Sequence, residues 1–185
     1  MLRTLDIVLA AVGLLLAFPI MLLIYAVCLF DTRAPLFMQT RVGQHKKPFT
    51  LFKFRTMRQG TESVATHLVN PAVVTRFGAV MRRTKLDELP QLWNVLKGDM
   101  SLVGPRPCLF NQQELIDERD ARGVFSVRPG ITGLAQVQGI DMSAPRLLAE
   151  TDARMLQTLG IRSYFGYILK TLTGSGSGDR VRGES

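Results

Sequence analysis

No residue from Ile7 to Phe30 carries a charge, and this run restricts the fold of the chain more than any other stretch. It exceeds the roughly 18 apolar residues that let a helix cross a bilayer. A secretory leader fits poorly, because its apolar region spans ~7–15 residues, whereas here the run is longer, only Arg3 supplies a preceding basic side chain, and no A-x-A cleavage site follows. Pro19 stands near the middle of the run, where it lacks an amide donor and crowds the carbonyl four residues back, and Gly13 adds little rigidity. Two architectures remain open: a spanning helix with a tolerated kink, or a helix-break-helix over residues 1–32 that enters one leaflet and returns to the face it left. The position of Pro19 favours the re-entrant form, with Pro19 as the membrane break.

Beyond the run, Arg33, Arg41, Lys46, Lys47, Lys53, Arg55 and Arg58 stand against Asp31 alone, and the positive-inside rule assigns that side to the cytoplasm. Cys28 lies in the apolar run and Cys108 in a Pro-rich stretch, a placement that suggests neither a disulfide framework nor a metal cluster. The 185 residues suffice for one catalytic unit, taken here as residues 33–173, followed by a flexible Gly/Ser tail at 174–185. The expected fold is α+β: short amphipathic helices around a small β element, with a strand at Phe49–Phe54. No G-x-G-x-x-G opens a helix, which argues against a Rossmann unit. Val73, Phe77, Val80 and Met81 form a helical apolar face near Arg76, Arg82 and Arg83. That pattern fits a helix lying in a membrane interface or one packed on the protein's own core. A net charge of +8 beside an apolar anchor also fits a membrane-tethered adaptor for anionic lipid or nucleic acid. Zinc spacing and aromatic-basic interleaving, which would support the nucleic-acid version, are missing from the sequence.

In this basic chain, Asp87 and Glu88 form an adjacent acidic pair. Leu86, Leu89, Leu92, Trp93 and Leu96 follow helical spacing, and Gly98 suits the left-handed position after a helix. Pro90 is tolerated only in a first turn, so the helix begins no earlier than Leu86 and the pair falls at its N-terminus. An isolated pair there reads as a helix cap. The neighbourhood adds more: Gly104-Pro105-Arg106-Pro107 and Arg128-Pro129-Gly130-Ile131-Thr132-Gly133 are rigid turns that each present an arginine, and Lys53 lies on the predicted strand with Arg55 just past its end. Arginine matches phosphate oxygens bidentately, so the set reads as a phosphate site built around a carboxylate pair.

The strings RVGQHKKPFTLFKFRTMR, RRTKLDELPQLWNVLKGDMSLVGPRP and VRPGITGLAQVQG, in that order, resemble the bacterial sugar transferase family. These are monotopic phosphoglycosyl transferases that start glycan assembly, including exopolysaccharide and lipopolysaccharide, on a polyprenol phosphate. The likeness runs from about Leu2 to Thr173 and is greatest to members made of the catalytic unit alone. It implies transfer of a sugar 1-phosphate from a UDP-sugar to undecaprenyl phosphate, with Mg²⁺. Asp87 would be the covalent nucleophile and Glu88 its neighbour, the two together holding the metal. Lys53, Arg55, Arg106 and Arg128 would bind phosphate, and Asp152, Pro105 and Pro107 would shape the donor site. The resemblance further implies a bacterial inner-membrane location with the catalytic unit on the cytoplasmic face, contact with membrane lipid, room for a homodimer, and no nucleic acid. Two departures stand out. Phe18-Pro19 replaces the family's common Ser-Pro, and Gln138-Gly139-Ile140-Asp141 replaces N-G-R-N, so an expected donor-site arginine is absent. Nothing in the sequence names the sugar.

Overall fold

The computed structural model describes residues 2–60 and 71–174; of the predicted tail, only Gly174 falls within them. Helix α1, Leu2–Asp31, is continuous through Pro19, so the expected break does not interrupt the helical backbone. A proline removes one hydrogen bond and kinks a helix without ending it when the flanking turns keep theirs. One flank of α1 is bare: Leu15 and Leu16 are each 75% exposed and Phe30 is 90% exposed. By length and composition α1 is apolar enough to enter a membrane. Its other flank packs on the rest of the chain towards both ends. Leu5 and Leu9 join Tyr164 and Tyr167, Ala10 joins Val95 and Met100, and Ile24 and Cys28 join Phe54 and Met81.

Strand β1, Leu36–Val42, pairs antiparallel with β2, Pro48–Phe54, in a register from Leu36↔Phe54 to Val42↔Pro48. The far edge of β2 is closed by a side chain rather than a strand. Asn94 is fully enclosed; its Oδ1 accepts from the Phe52 amide at 3.1 Å and its Nδ2 donates to the Thr50 carbonyl at 2.7 Å. This satisfies two backbone groups that an open edge would leave for a passing chain.

Helix α2, Arg76–Thr84, is capped by Thr75, whose Oγ1 accepts from the Gly78 amide. Its apolar face turns inward: Met81 is 1% exposed, and both Met81 and Phe77 pack with Ile24, Cys28 and Phe54. Of the two readings of that face, packing on the protein's own core describes Phe77 and Met81, while Val80 remains 44% exposed. Helix α3, Gln91–Lys97, stops at Gly98, which takes the left-handed conformation (φ +94) expected of it.

The rest of the chain is joined by a short parallel pair, β3 (Ser101–Val103) with β4 (Gly130–Thr132). This pair brings the two Pro-Arg turns back to back: the Gly104 amide donates to the Thr132 carbonyl and the Gly130 amide to the Pro105 carbonyl. The crossing leaves no room for side chains, since a Cβ on Gly130 would lie 2.0 Å from the Gly104 nitrogen. Gly130→Ala is therefore expected to destabilise the protein by about 1–3 kcal/mol or more through overpacking, readable as a lowered thermal midpoint. Helices α4 (Gln113–Ala121), α5 (Leu134–Val137), α6 (Pro145–Thr158) and α7 (Ile161–Leu172) complete the described residues, with α4 packed on α6. Among the described residues the architecture is α+β with two small sheets, and the α+β class is the one the sequence pattern predicts.

Candidate active site

Asp87 and Glu88 occupy a 3₁₀ turn, Leu86–Glu88, between α2 and α3. Lys85 takes the left-handed conformation (φ 59), which ends α2 and redirects the chain into this turn. The pair thus precedes α3 by a turn and is not part of its first turn, and α3 is only seven residues long. The reason lies in Pro90, which stands at the N-cap of α3 without an amide to donate, while the Leu89 amide bonds back to Leu86 in 3₁₀ fashion. Both acids are buried, Asp87 at 2% and Glu88 at 8% exposure. Two neighbouring carboxylates at such burial repel each other and require nearby cations to remain ionised.

Arg106 supplies one such cation: its Nη2 donates to Glu88 Oε1 at 2.8 Å. Lys53, also buried, sits on β2, the strand that packs against the 3₁₀ turn, with its ammonium 5.4 Å from the centre of the Phe37 ring. Arg55 shares that ring at 5.3 Å but donates to the Ala34 and Leu36 carbonyls, where it fixes the entry to β1. Arg128 donates through Nε to the Gly98 carbonyl at 2.8 Å, just past the end of α3. Of the four cations expected at the site, Arg106 meets the acidic pair through a direct ion pair, and Arg55 and Arg128 brace backbone around it. Pro105 and Pro107 are buried and their carbonyls accept from Gly130 N and Arg41 Nη1, so they hold the shape of the Arg106 turn.

Asp152 lies beneath that turn. It is fully enclosed, and its Oδ2 accepts from Arg119 Nε at 3.0 Å and Nη2 at 2.7 Å. Burial pushes this carboxyl up from its ordinary range, against the lowering pull of Arg119. Arg119, itself 1% exposed, donates its remaining Nη1 to the carbonyl of Arg106 at 2.8 Å. Any contribution of Asp152 to donor binding therefore passes through Arg119 to the turn that carries Arg106. Arg119 was not among the residues expected from sequence. The signal for it was its place four residues after Leu115, on the apolar face of α4, where an unpartnered guanidinium would not be tolerated.

An apolar groove of about 340 Å³ is lined in part by Phe18, Met21 and Tyr25 of α1, Phe52 of β2, and Pro90 and Trp93. One of its lining residues, Pro90, is two residues from Glu88 in sequence, and four of them belong to α1. Among the described residues no group of three or more His, Cys, Asp or Glu side chains is placed to hold a metal ion.

Comparison with known proteins places these features in context. A family model described as bacterial sugar transferase matches residues 1–176. An uncharacterized sugar transferase of Bacillus subtilis, EpsL, is 52% identical over 103 residues, which cover 56% of this chain and 50% of that protein. A UDP-glucose:undecaprenyl-phosphate glucose-1-phosphate transferase of Caulobacter vibrioides is 37% identical over 182 residues, 92% of this chain and 67% of that protein. An exopolysaccharide production protein of Rhizobium leguminosarum, PSS, is 36% identical over 192 residues, 92% of this chain and 94% of that protein. The chain thus spans half the length of EpsL and most of the length of PSS.

Proposed function

Because this chain belongs to the bacterial sugar transferase family, we propose that it transfers a sugar 1-phosphate from a UDP-sugar to undecaprenyl phosphate and releases UMP. The observation that carries this reading is the buried Asp87–Glu88 pair, ion-paired to Arg106 and followed two residues later by Pro90, which lines an apolar groove beside α1. A site of that kind suits a reaction between a water-soluble diphosphate and a lipid phosphate.

In the proposed course, a carboxylate oxygen of Asp87 attacks the β-phosphorus of the donor. The bond from that phosphorus to the bridging oxygen breaks, and UMP leaves with the electron pair. The resulting acyl phosphosugar is then attacked at phosphorus by an oxygen of the lipid phosphate, which breaks the acyl–phosphorus bond, restores the carboxylate and yields the lipid diphosphate sugar. Splitting one displacement into two is the usual role of a covalent nucleophile. An anionic nucleophile approaching an anionic diphosphate is repelled, and Lys53 and Arg106 offset that repulsion. Arg106 also neutralises Glu88, so that Asp87 is not left beside an uncompensated like charge. Two adjacent buried carboxylates form a hard-oxygen donor set that fits Mg²⁺, an ion usually held by one or two carboxylates together with substrate phosphates. When bound there by Asp87 and Glu88, it would supply neutralisation of phosphate charge. The polyprenol chain would lie in the groove between α1 and Trp93.

Although α1 lacks the break of the re-entrant form, its contacts support an in-plane helix that keeps both ends on one face of the membrane over one that stands across the bilayer. At its start, Arg3 donates to the Leu96 and Met100 carbonyls. At its end, Asp31 Oδ2 accepts from Thr75 Oγ1 at 2.6 Å. A helix of this length extends ~45 Å, so a transverse orientation would carry one end well away from the catalytic face. Both ends here meet the same body, with the exposed apolar flank left for lipid.

A panel of UDP-sugars incubated with undecaprenyl phosphate and Mg²⁺ tests the activity. UMP release with at least one sugar, dependent on the lipid for repeated turnover, is the expected result. Absence of UMP from every sugar, with the protein folded in membranes, would contradict it.

A further inference from the structure

Asp6 sits at the head of the apolar helix, yet it is only 3% exposed. Its Oδ1 accepts from three donors: Ser101 Oγ at 2.9 Å, the Leu102 amide at 2.9 Å and Tyr164 Oη at 2.8 Å. Arg3 lies 4.0 Å from Oδ2. Tyr164 is fully enclosed, and burial, reinforced by the hydrogen bond to Asp6, pushes its hydroxyl pKa upward, which keeps the proton available for donation. The donors belong to β3 and α7, 95 to 158 residues away in sequence, and none of them takes part in the proposed chemistry.

We propose that Asp6 is a positioning residue: a hydrogen-bonded lock that holds the N-terminal end of α1 on the catalytic face of the membrane. The proposal rests on the in-plane reading of α1. An apolar helix of this length gains similar burial whether it lies within one leaflet or crosses both, so burial alone does not choose between them. The lock chooses. Withdrawing Asp6 would strip its acceptor from a buried backbone amide, a serine hydroxyl and an enclosed tyrosine hydroxyl, and buried donors without acceptors are costly. Because α1 packs on α3, with Leu92 Cδ1 only 3.3 Å from where a Cβ on Gly13 would be, the lie of α1 also fixes the height of the neighbouring Asp87 turn above the lipid.

The test uses the full chain with Cys28→Ser, Cys108→Ser and Leu2→Cys, expressed in a bacterial inner membrane and probed with a membrane-impermeant maleimide. In this parent, Leu2→Cys is expected to label only after the cytoplasmic face is opened. Adding Asp6→Ala is expected to convert the majority of molecules to labelling from outside. Asp6→Asn, which keeps an acceptor oxygen, is expected to behave as the parent, an outcome that a purely charge-based role would not give. Should Asp6→Ala fail to accumulate, Ser101→Ala combined with Tyr164→Phe removes two of the three donors and should produce the same outward labelling. Asp6→Ala, or that double variant, labelling only from the cytoplasm would overturn the lock. If the parent itself labels from outside, the in-plane reading fails first.

Discussion

Asp87→Asn is expected to abolish sugar-phosphate transfer, by roughly 10³-fold or more, while the protein folds as before. The carboxylate is the attacking group in the proposed course, and an amide of the same shape lacks the charge that attack requires. Structural damage is not expected to accompany the loss. Asp87 is 2% exposed and adjoins Glu88, so replacing it with a neutral side chain relieves a buried like-charge pair. An asparagine keeps the size and one acceptor oxygen of Asp87. Unfolding midpoint and rate thus part company: a normal midpoint with no turnover assigns Asp87 to chemistry, whereas normal turnover would remove it from the mechanism. Glu88→Gln should impair turnover less severely, because it spares the nucleophile and disturbs the Arg106 pair.

Arg119→Ala is expected to produce the largest loss of stability, about 3–5 kcal/mol, because it leaves the enclosed Asp152 carboxylate without its partner. That is a substantial share of a typical stability of 5–15 kcal/mol. For a chain of this size it corresponds to a fall of roughly 10 °C in unfolding midpoint, measurable by circular dichroism in detergent. Activity should fall as well, since the same guanidinium holds the carbonyl of Arg106. Arg119→Met with Asp152→Leu removes both charges and should recover much of the stability, but it cannot restore the bond to the Arg106 turn. A midpoint unchanged in Arg119→Ala would show that the pair is not the anchor its geometry implies.

What the sequence disclosed followed from local rules. The apolar run, the strand that carries Lys53 and the left-handed Gly98 each depend on residues within a turn or two, and each is found where periodicity and backbone preference put it. The Pro-Arg turns were recognisable singly, but their back-to-back crossing was not, because three-residue strands carry too little pattern to announce a partner 29 residues away at Ser101↔Gly130. The acidic pair was found, though its 3₁₀ geometry depends on the left-handed Lys85, a conformation few side chains adopt and none advertises. Arg106, Arg128 and Arg55 are equivalent in the sequence, which does not disclose that Arg128 also holds the Gly98 carbonyl and Arg55 the Ala34 carbonyl. Asp6 drew no expectation from the sequence, since its partners lie in β3 and α7. Long-range polar contacts of this kind leave no periodic trace.

The central claim is that Asp87 becomes covalently loaded, and mass spectrometry of the peptide around it tests that most directly. Purified protein would be incubated with its UDP-sugar and Mg²⁺ in the absence of lipid acceptor, then digested. The account predicts one sugar phosphate added to the Asp87 peptide, UMP released in at most stoichiometric amount, no adduct in Asp87→Asn, and discharge of the adduct on adding undecaprenyl phosphate. An unmodified Asp87 peptide, with UMP appearing only when donor and lipid acceptor are present together, would contradict it and point to direct attack by the lipid phosphate.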